Sequence, residues 1–225
     1  MYNLFIDFFW PKTCFVCGKD GTNFCAKCLK SLPVAHPKCL RCGAHNPMGI
    51  YCSGCRQPSL PEKVLAGFSF EGELKDAIHQ FKYEDMTVLS EVFSTCLARA
   101  IKKIPAYKSY VLVPVPLHPK KLRSRGYNQA QLLAREAAEI LSLETSDLLI
   151  RKRLKASQVT VASKQARKIN VKGIFAFDKT KRVPARVMLI DDTVTTGATI
   201  EEATKTLKHA GVCEVIAVAL ALGGL

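Results

Sequence analysis

The sequence predicts an α/β protein: a parallel sheet flanked by helices, with a small cysteine-rich module at its N-terminus. Three observations predict it. Short apolar runs (Tyr110–Val115, Val187–Ile190, Cys213–Leu220) alternate with stretches of helical period, as strands buried on both faces and joined by crossover helices do. Eight of the ten cysteines fall in four C-x-x-C pairs, all before residue 56. One strand–turn–helix stretch, Arg186 to Ile200, carries two acids and four threonines at the strand end where open parallel sheets hold ligands. The expected division is an apolar leader helix over 1–11, a double metal ribbon over 12–60 and the α/β domain over 61–225.

Composition narrows the function classes. The 48% hydrophobic content supports a core and argues against disorder. With 33 Lys and Arg against 19 Asp and Glu, the net charge is +14. Two zinc ions, each held by four thiolates, would bring it to about +10. Such an excess suits nucleic acid or an anionic membrane face. No basic n-region or A-x-A site opens the chain, and no run of about 18 apolar residues occurs, so neither a secretory signal nor a membrane span is expected. The C-x-x-C pairs therefore read as metal ligands in a reducing compartment.

In chain order, Leu4, Phe5, Phe8 and Phe9 share a helical face, ended by Pro11. Such a face packs on the protein body or lies on a membrane surface with Trp10 at the interface. The cysteine pairs then repeat in order, the first and third each followed by Gly. This assigns Cys14, Cys17, Cys25 and Cys28 to one zinc and Cys39, Cys42, Cys52 and Cys55 to another, each a tetrahedral structural site. A crossed pairing satisfies the same spacings. His36 and His45 are spare. After a linker at Pro58–Pro61, Val64–Phe70 reads as a strand. Leu74, Ala77, Ile78 and Phe81 mark one helix face, and Val88–Ile104 a second helix with Cys96 buried. Tyr110–Val115 is the next strand, followed by a basic loop, PLHPKKLRSRGYNQ. Ala130, Leu133, Ala134, Ala137 and Ile140 mark a helix. Leu148–Ile150 and Phe175–Phe177 are short strands around a polar, basic stretch that reads as a mobile loop. After Ile190, a helix runs to Gly211. The last strand follows, with Cys213 expected in the core.

The Arg186–Ile200 stretch has a chemical reading of its own. A helix N-terminus attracts phosphate through free N–H groups and its dipole. Thr195, Thr196 and Thr199 add hydroxyls, and Gly197 lets the backbone approach closely. Asp191 and Asp192 would accept hydrogen bonds from a vicinal diol. A phosphate beside a diol describes a ribose 5-phosphate. No G-x-x-x-x-G-K-[ST] or G-x-G-x-x-G competes with this reading.

Four apolar residues, two acids and T-V-T-T-G-A-T resemble the phosphoribosyl pyrophosphate (PRPP) signature of type I phosphoribosyltransferases. The resemblance implies a phosphoribosyltransferase-like sheet. It makes Asp191, Asp192, Thr193, Thr195, Thr196, Gly197, Ala198 and Thr199 the PRPP contacts. It also makes the loop after the first core strand a pyrophosphate loop, with Leu117, His118, Arg123, Arg125 and Gly126, and Mg²⁺ accompanying PRPP. The polar stretch after Arg151 would close over PRPP and exclude water.

Several features together resemble the ComF (ComFC/GntX-like) family, which joins a double zinc ribbon to such a domain. They are the leader, the four cysteine pairs, the PLHPKKLRSRGYNQAQLLA loop, and Gln158, Arg167, Asn170, Val171, Gly173 and Phe175. Where many relatives have Thr two residues before the Gln, this chain has Ala156. The family is bacterial and cytoplasmic, linked to DNA uptake in natural transformation and to single-stranded DNA. That implies single-stranded DNA on Lys120, Lys121, Arg123, Arg125, Lys155, Lys164, Arg167 and Lys168, with Tyr127 and Phe175 as stacking candidates and Phe175 reading equally as a core residue. It also implies contact with competence or membrane-associated uptake machinery, at the inner membrane face. The alternative function is an active phosphoribosyltransferase. For it, no residue announces itself as a catalytic base and the acceptor is unreadable.

Overall fold

A computed structural model describes residues 12–46, 48–83, 87–152 and 171–223. The leader helix with Trp10, Lys155, Ala156, Gln158, Lys164, Arg167, Lys168 and Asn170 lie outside the described residues. Six strands are present among them: β1 (Lys63–Ser69), β2 (Val111–Pro114), β3 (Leu149–Arg151), β4 (Phe175–Phe177), β5 (Arg186–Val194) and β6 (Glu214–Leu222). Six α-helices accompany them: α1 (Ala26–Ser31), α2 (Gly72–Tyr83), α3 (Ser90–Ile101), α4 (Pro119–Arg125), α5 (Gln129–Leu141) and α6 (Ala198–His209).

The main sheet has the order β1-β6-β5-β2 and is parallel throughout. The alternation of β5 explains why its run is continuously apolar. Met188 and Ile190 join one buried cluster, and Val187 and Leu189 join the other. The first face is covered by Leu74, Ile78 and Phe81 of α2, Phe93 and Leu97 of α3, and Leu133 and Ala137 of α5. The second face is covered by Ile200, Ala203 and Leu207 of α6 and by the antiparallel β3–β4 hairpin. Each fully buried aliphatic side chain contributes about 1.5–3 kcal/mol, so these two layers hold the sheet. Between α3 and α5, Ser90 and Ser94 donate to the two oxygens of Glu136 at 2.6 and 2.9 Å, satisfying a carboxylate within the helical layer.

The cysteine module straddles the β1 edge. Cys14, Phe24, Cys25 and Cys28 pack into the cluster under α2 and α3. Cys39, Leu40 and Tyr51 pack into the opposite one. The connecting segment runs along β1: Ser69 N–H donates to Pro33 O at 2.8 Å, and Val34 bridges to Phe68. The opposite edge is covered too, because Leu112 of β2 exchanges backbone bonds with Glu144 and Ser146. Both edges are thereby kept from pairing with another chain.

Three expectations are corrected. The stretch after β2 contains a helix, α4, where a loop is expected. Pro119 sits at its start, the His118 ring accepts from Lys120 N–H at 3.1 Å, and Gly126 ends it at φ 75°. Cys213 is exposed at the turn before β6. Phe175 is buried, with the Arg151 guanidinium 5.5 Å from its ring centroid, so it is no stacking platform.

Candidate functional site

The acidic pair lies on β5 itself, since the strand runs on to Val194. Asp191 is paired in register with Ala219 and Thr193 with Ala221, so small β6 neighbours leave the strand end open above them. Asp192 N–H donates to Asp191 Oδ1 at 2.8 Å. Lys82, in the last turn of α2, places Nζ 2.6 Å from Asp192 Oδ1 and donates to Thr193 Oγ1 at 3.0 Å. Thr193 in turn donates to Asp192 Oδ1 at 2.7 Å. Asp191 lacks so close a cation. Burial, then the neighbouring Asp192 charge, pushes its carboxyl up to about 7, against the pull of Lys82, the Asp192 N–H and Arg151. Asp191 is thus poised to change charge near neutrality, beside a neighbour paired with Lys82.

These groups line a cavity of about 230 Å³ together with the residues after β2. Of the expected site residues, Asp191, Asp192, Thr193, Thr199, Leu117, Lys121 and Arg125 share its wall. Arg125 is buried. Its guanidinium lies 4.4 Å from the Tyr83 ring centroid, and Nη1 donates to Gln129 Oε1 at 3.1 Å. That places it at the cavity, withdrawn from any strand tracking the surface. Lys120 and Arg123 project from α4 into solvent, and His118 caps that helix. Burial, then Arg151 and the α4 cations, holds His118 below its ordinary pKa, which favours the neutral ring that accepts from Lys120 N–H.

Thr195, Thr196, Gly197 and Ala198 form the turn into α6 and are absent from that lining. Gly197 caps α6 at φ 75°, and Ala198 N–H reaches Thr196 Oγ1 at 3.5 Å. Sequence reasoning missed Lys82, Asn128, Gln129 and Arg151 as cavity residues. Only the fold brings Lys82 from α2 to β5, and no local pattern marks it. Asn128 and Gln129 belong to a stretch whose asparagine is recognisable as a helix cap. Its side chain accepts from Ala130 N–H at 3.2 Å and donates to Val115 O at 3.1 Å.

The cysteines form two clusters, Cys14/Cys17/Cys25/Cys28 and Cys39/Cys42/Cys52/Cys55, with all four sulfurs of each within 4.8 Å of one another. The spacing resolves the pairing in favour of one ribbon per ion. Each first hairpin turn is closed alike, with Gly18 N–H on Cys14 O and Gly43 N–H on Cys39 O, both 2.8 Å. Burial raises the Cys14 and Cys39 thiols, but backbone N–H groups from Cys25 and Cys42 and their neighbours outweigh it and bring both to about 6. Burial and the neighbouring thiols push Cys28 to about 12, and the neighbouring thiols do the same to Cys52. Four thiols this close ionise together only around a cation, and a Cys₄ set at this spacing fits zinc.

The family profile of a double zinc ribbon domain matches residues 5–56. That of a phosphoribosyl transferase domain matches residues 125–224. The chain is 27% identical over 200 residues to "Competence protein ComFC" of Streptococcus pneumoniae, covering 87% of this chain and 86% of that one. It is 28% identical over 210 residues to "Competence protein F" of Haemophilus influenzae, covering 88% of each.

Along most of its length the chain is similar to competence proteins, and it joins a match to a double zinc ribbon domain to a match to a phosphoribosyl transferase domain.

It is also 25% identical over 223 residues to "DNA utilization protein YhgH" of Escherichia coli, covering 91% of this chain and 94% of that one. Among solved structures, a glutamine PRPP amidotransferase from Bacillus subtilis superposes at a TM-score of 0.39 and 21% identity, over 58% of this chain and 26% of that one. No helix among the described residues is long and apolar enough to cross a membrane.

Proposed function

We propose that this protein acts in DNA uptake during natural transformation, binding PRPP with Mg²⁺ at the β5 cavity and single-stranded DNA on its exposed basic surface. The observation that carries the reading is the cavity itself. It sets a paired acid, Thr193 and Thr199 against Lys121 and Arg125, which suits a ligand with hydroxyls at one end and phosphates at the other. The named competence and DNA-utilisation relatives match along most of their lengths, which supports the cellular role. In this reading Asp191 and Asp192 accept from the ribose hydroxyls. The turn Thr195–Thr199 and the α6 N-terminus take the 5-phosphate. The residues after β2, with Leu117, His118, Arg123, Arg125 and Gly126, take the pyrophosphate. Lys120, Lys121 and Arg123, joined by Lys155, Lys164, Arg167 and Lys168, meet DNA phosphates. Two zinc ions hold the ribbons in shape. The protein works in the cytoplasm, at or near the inner membrane face.

Turnover is the second reading, favoured by the profile match to a phosphoribosyl transferase domain. The cationic wall would stabilise a departing pyrophosphate, and the acceptor is unassigned. Fluorescence anisotropy of labelled single-stranded DNA at two salt concentrations, with and without Mg-PRPP, tests the main reading. Salt-sensitive binding that charge reversal of Lys120 and Arg123 weakens supports it. Absence of binding at low salt removes the DNA component and leaves the transferase reading.

A further inference from the structure

We propose that the cavity between β4 and the C-terminal half of α6 is a second ligand site, one that takes a nucleotide. The proposal goes beyond the β5 cavity and does not depend on what that cavity binds.

The space is about 670 Å³, a size that holds a small organic ligand. No residue lines both it and the β5 cavity. Its walls come from α6 and the stretch 175–183. Glu202, Lys205 and His209 share one face of α6, being three and four residues apart. The stretch of α6 from Thr199, at the β5 cavity, to His209 is about 15 Å long, so the two sites sit at opposite ends of one helix.

The charge is one-sided. Lys179, Lys181 and Lys205 line the cavity, with Glu202 the one carboxylate among its lining residues. Glu202 Oε1 is occupied, accepting from Gly173 N–H at 2.7 Å. Asp178, beside Lys179 in the chain, is occupied too: Oδ1 accepts from Thr180 N–H at 3.0 Å and from Thr180 Oγ1 at 2.7 Å. None of the three lysines makes an ion pair among the described residues. Like charges gathered without a counter-charge create a positive potential that an anion relieves. The negative end of the α6 dipole opposes an anion there. Its last carbonyls, however, accept from the N–H groups of Ala210, Gly211 and Val212. The lysines therefore set the sign.

The rest of the lining is apolar. Phe177 is half-buried and Val183 is 37% exposed, and both line the cavity beside Ala210. A ring and small aliphatic groups next to ammonium groups suit a ligand that joins a flat ring to a phosphate. A bare phosphate would leave the apolar part wet, and an acyl chain would leave the lysines unmatched. A free nucleotide and one unit of a single DNA strand share this chemistry.

Calorimetric titration of adenosine monophosphate (AMP) into the full chain tests the site. The variant is Lys179→Glu/Lys181→Glu, both positions being exposed. Lys102→Glu/Lys103→Glu, an exposed pair on another helix end, controls for net charge. Lys121→Glu controls for the β5 cavity. The expected result is a dissociation constant raised about tenfold or more in the first variant and unchanged within about twofold in the two controls. If wild type takes no AMP, the same pattern in anisotropy of labelled oligo-dT supports the site and assigns it to a unit of a strand. AMP affinity lost in Lys121→Glu and kept in Lys179→Glu/Lys181→Glu overturns the proposal, as does inorganic phosphate displacing AMP at equal concentration. Neither AMP nor oligo-dT responding to Lys179→Glu/Lys181→Glu overturns it as well. Mg-PRPP is titrated separately, and its failure to bind removes the PRPP reading without touching this site.

Discussion

Leu40 Cδ1 lies 2.7 Å from where a Cβ on Gly197 would stand. The second ribbon is pressed against the turn that enters α6. The contact is reinforced one helical turn on, where Glu201 accepts from Tyr51 Oη at 3.4 Å and lies 3.6 Å from Arg41 Nε. Gly197 is required twice over, by its positive φ and by the lack of room. Gly197→Ala is expected to cost about 2–4 kcal/mol by urea denaturation. Leu40→Ala, which removes the packing partner and leaves the backbone free, should cost a similar amount and loosen PRPP binding. Equal stability of wild type and Gly197→Ala would contradict the packing described.

The two metal sites should differ in consequence. Cys39→Ser and Cys14→Ser each remove a ligand from one cluster. Metal analysis should show about half the wild-type zinc for either. Cys39→Ser is expected to weaken PRPP binding more than Cys14→Ser, because Leu40 of the second ribbon packs against the α6 turn. Equal losses of PRPP affinity in both variants would argue for a general folding defect.

Lys82 bridges Asp192 and Thr193 from a different layer of the fold, with both charged side chains largely buried. Lys82→Met leaves a buried carboxylate without its cation and should cost about 3 kcal/mol. The loss should be much smaller in a Lys82→Met/Asp192→Asn double variant, which a double-mutant cycle measures. Additive losses would mean that the two side chains do not act as a pair.

The fold class and the parallel sheet were legible because each follows from local period or spacing, whereas the acids, expected just beyond the strand, lie on β5 itself. The β5 run reads as buried on both faces, and each Cys₄ set follows from its own two turns. What escaped was set by other scales. Helix α4 is seven residues long and held by a cap, a proline and a glycine, too short for a period to show. Lys82 reaches the site only because α2 ends above β5. Cys213 sits in an apolar-looking run yet precedes the strand, where the chain is still turning at the surface. Phe175, counted as a platform for bases, is consumed by the hairpin core.

The Asp191 carboxyl sets a pH dependence whose sign differs for folding and for binding. Its folded pKa is raised, so the native state holds a proton that the unfolded chain has lost between its ordinary value near 4 and about 7. This group's stabilising contribution is present at the acid end of that window and is lost as pH rises through about 7. PRPP binding should run the other way, strengthening as Asp191 ionises and can accept from the ribose. Asp191→Asn should flatten both profiles between pH 5 and 8, measured by melting temperature and by titration. Wild-type profiles retained in that variant would assign the titration to another group.

Titration calorimetry of Mg-PRPP into the wild-type protein and into Asp192→Asn tests the central claim most directly. The account predicts stoichiometric binding by the wild type and a loss of about tenfold or more in the variant, with the melting temperature monitored alongside. Wild-type protein that takes up no PRPP, or an Asp192→Asn variant that binds it as tightly as wild type, would contradict the assignment of the β5 cavity.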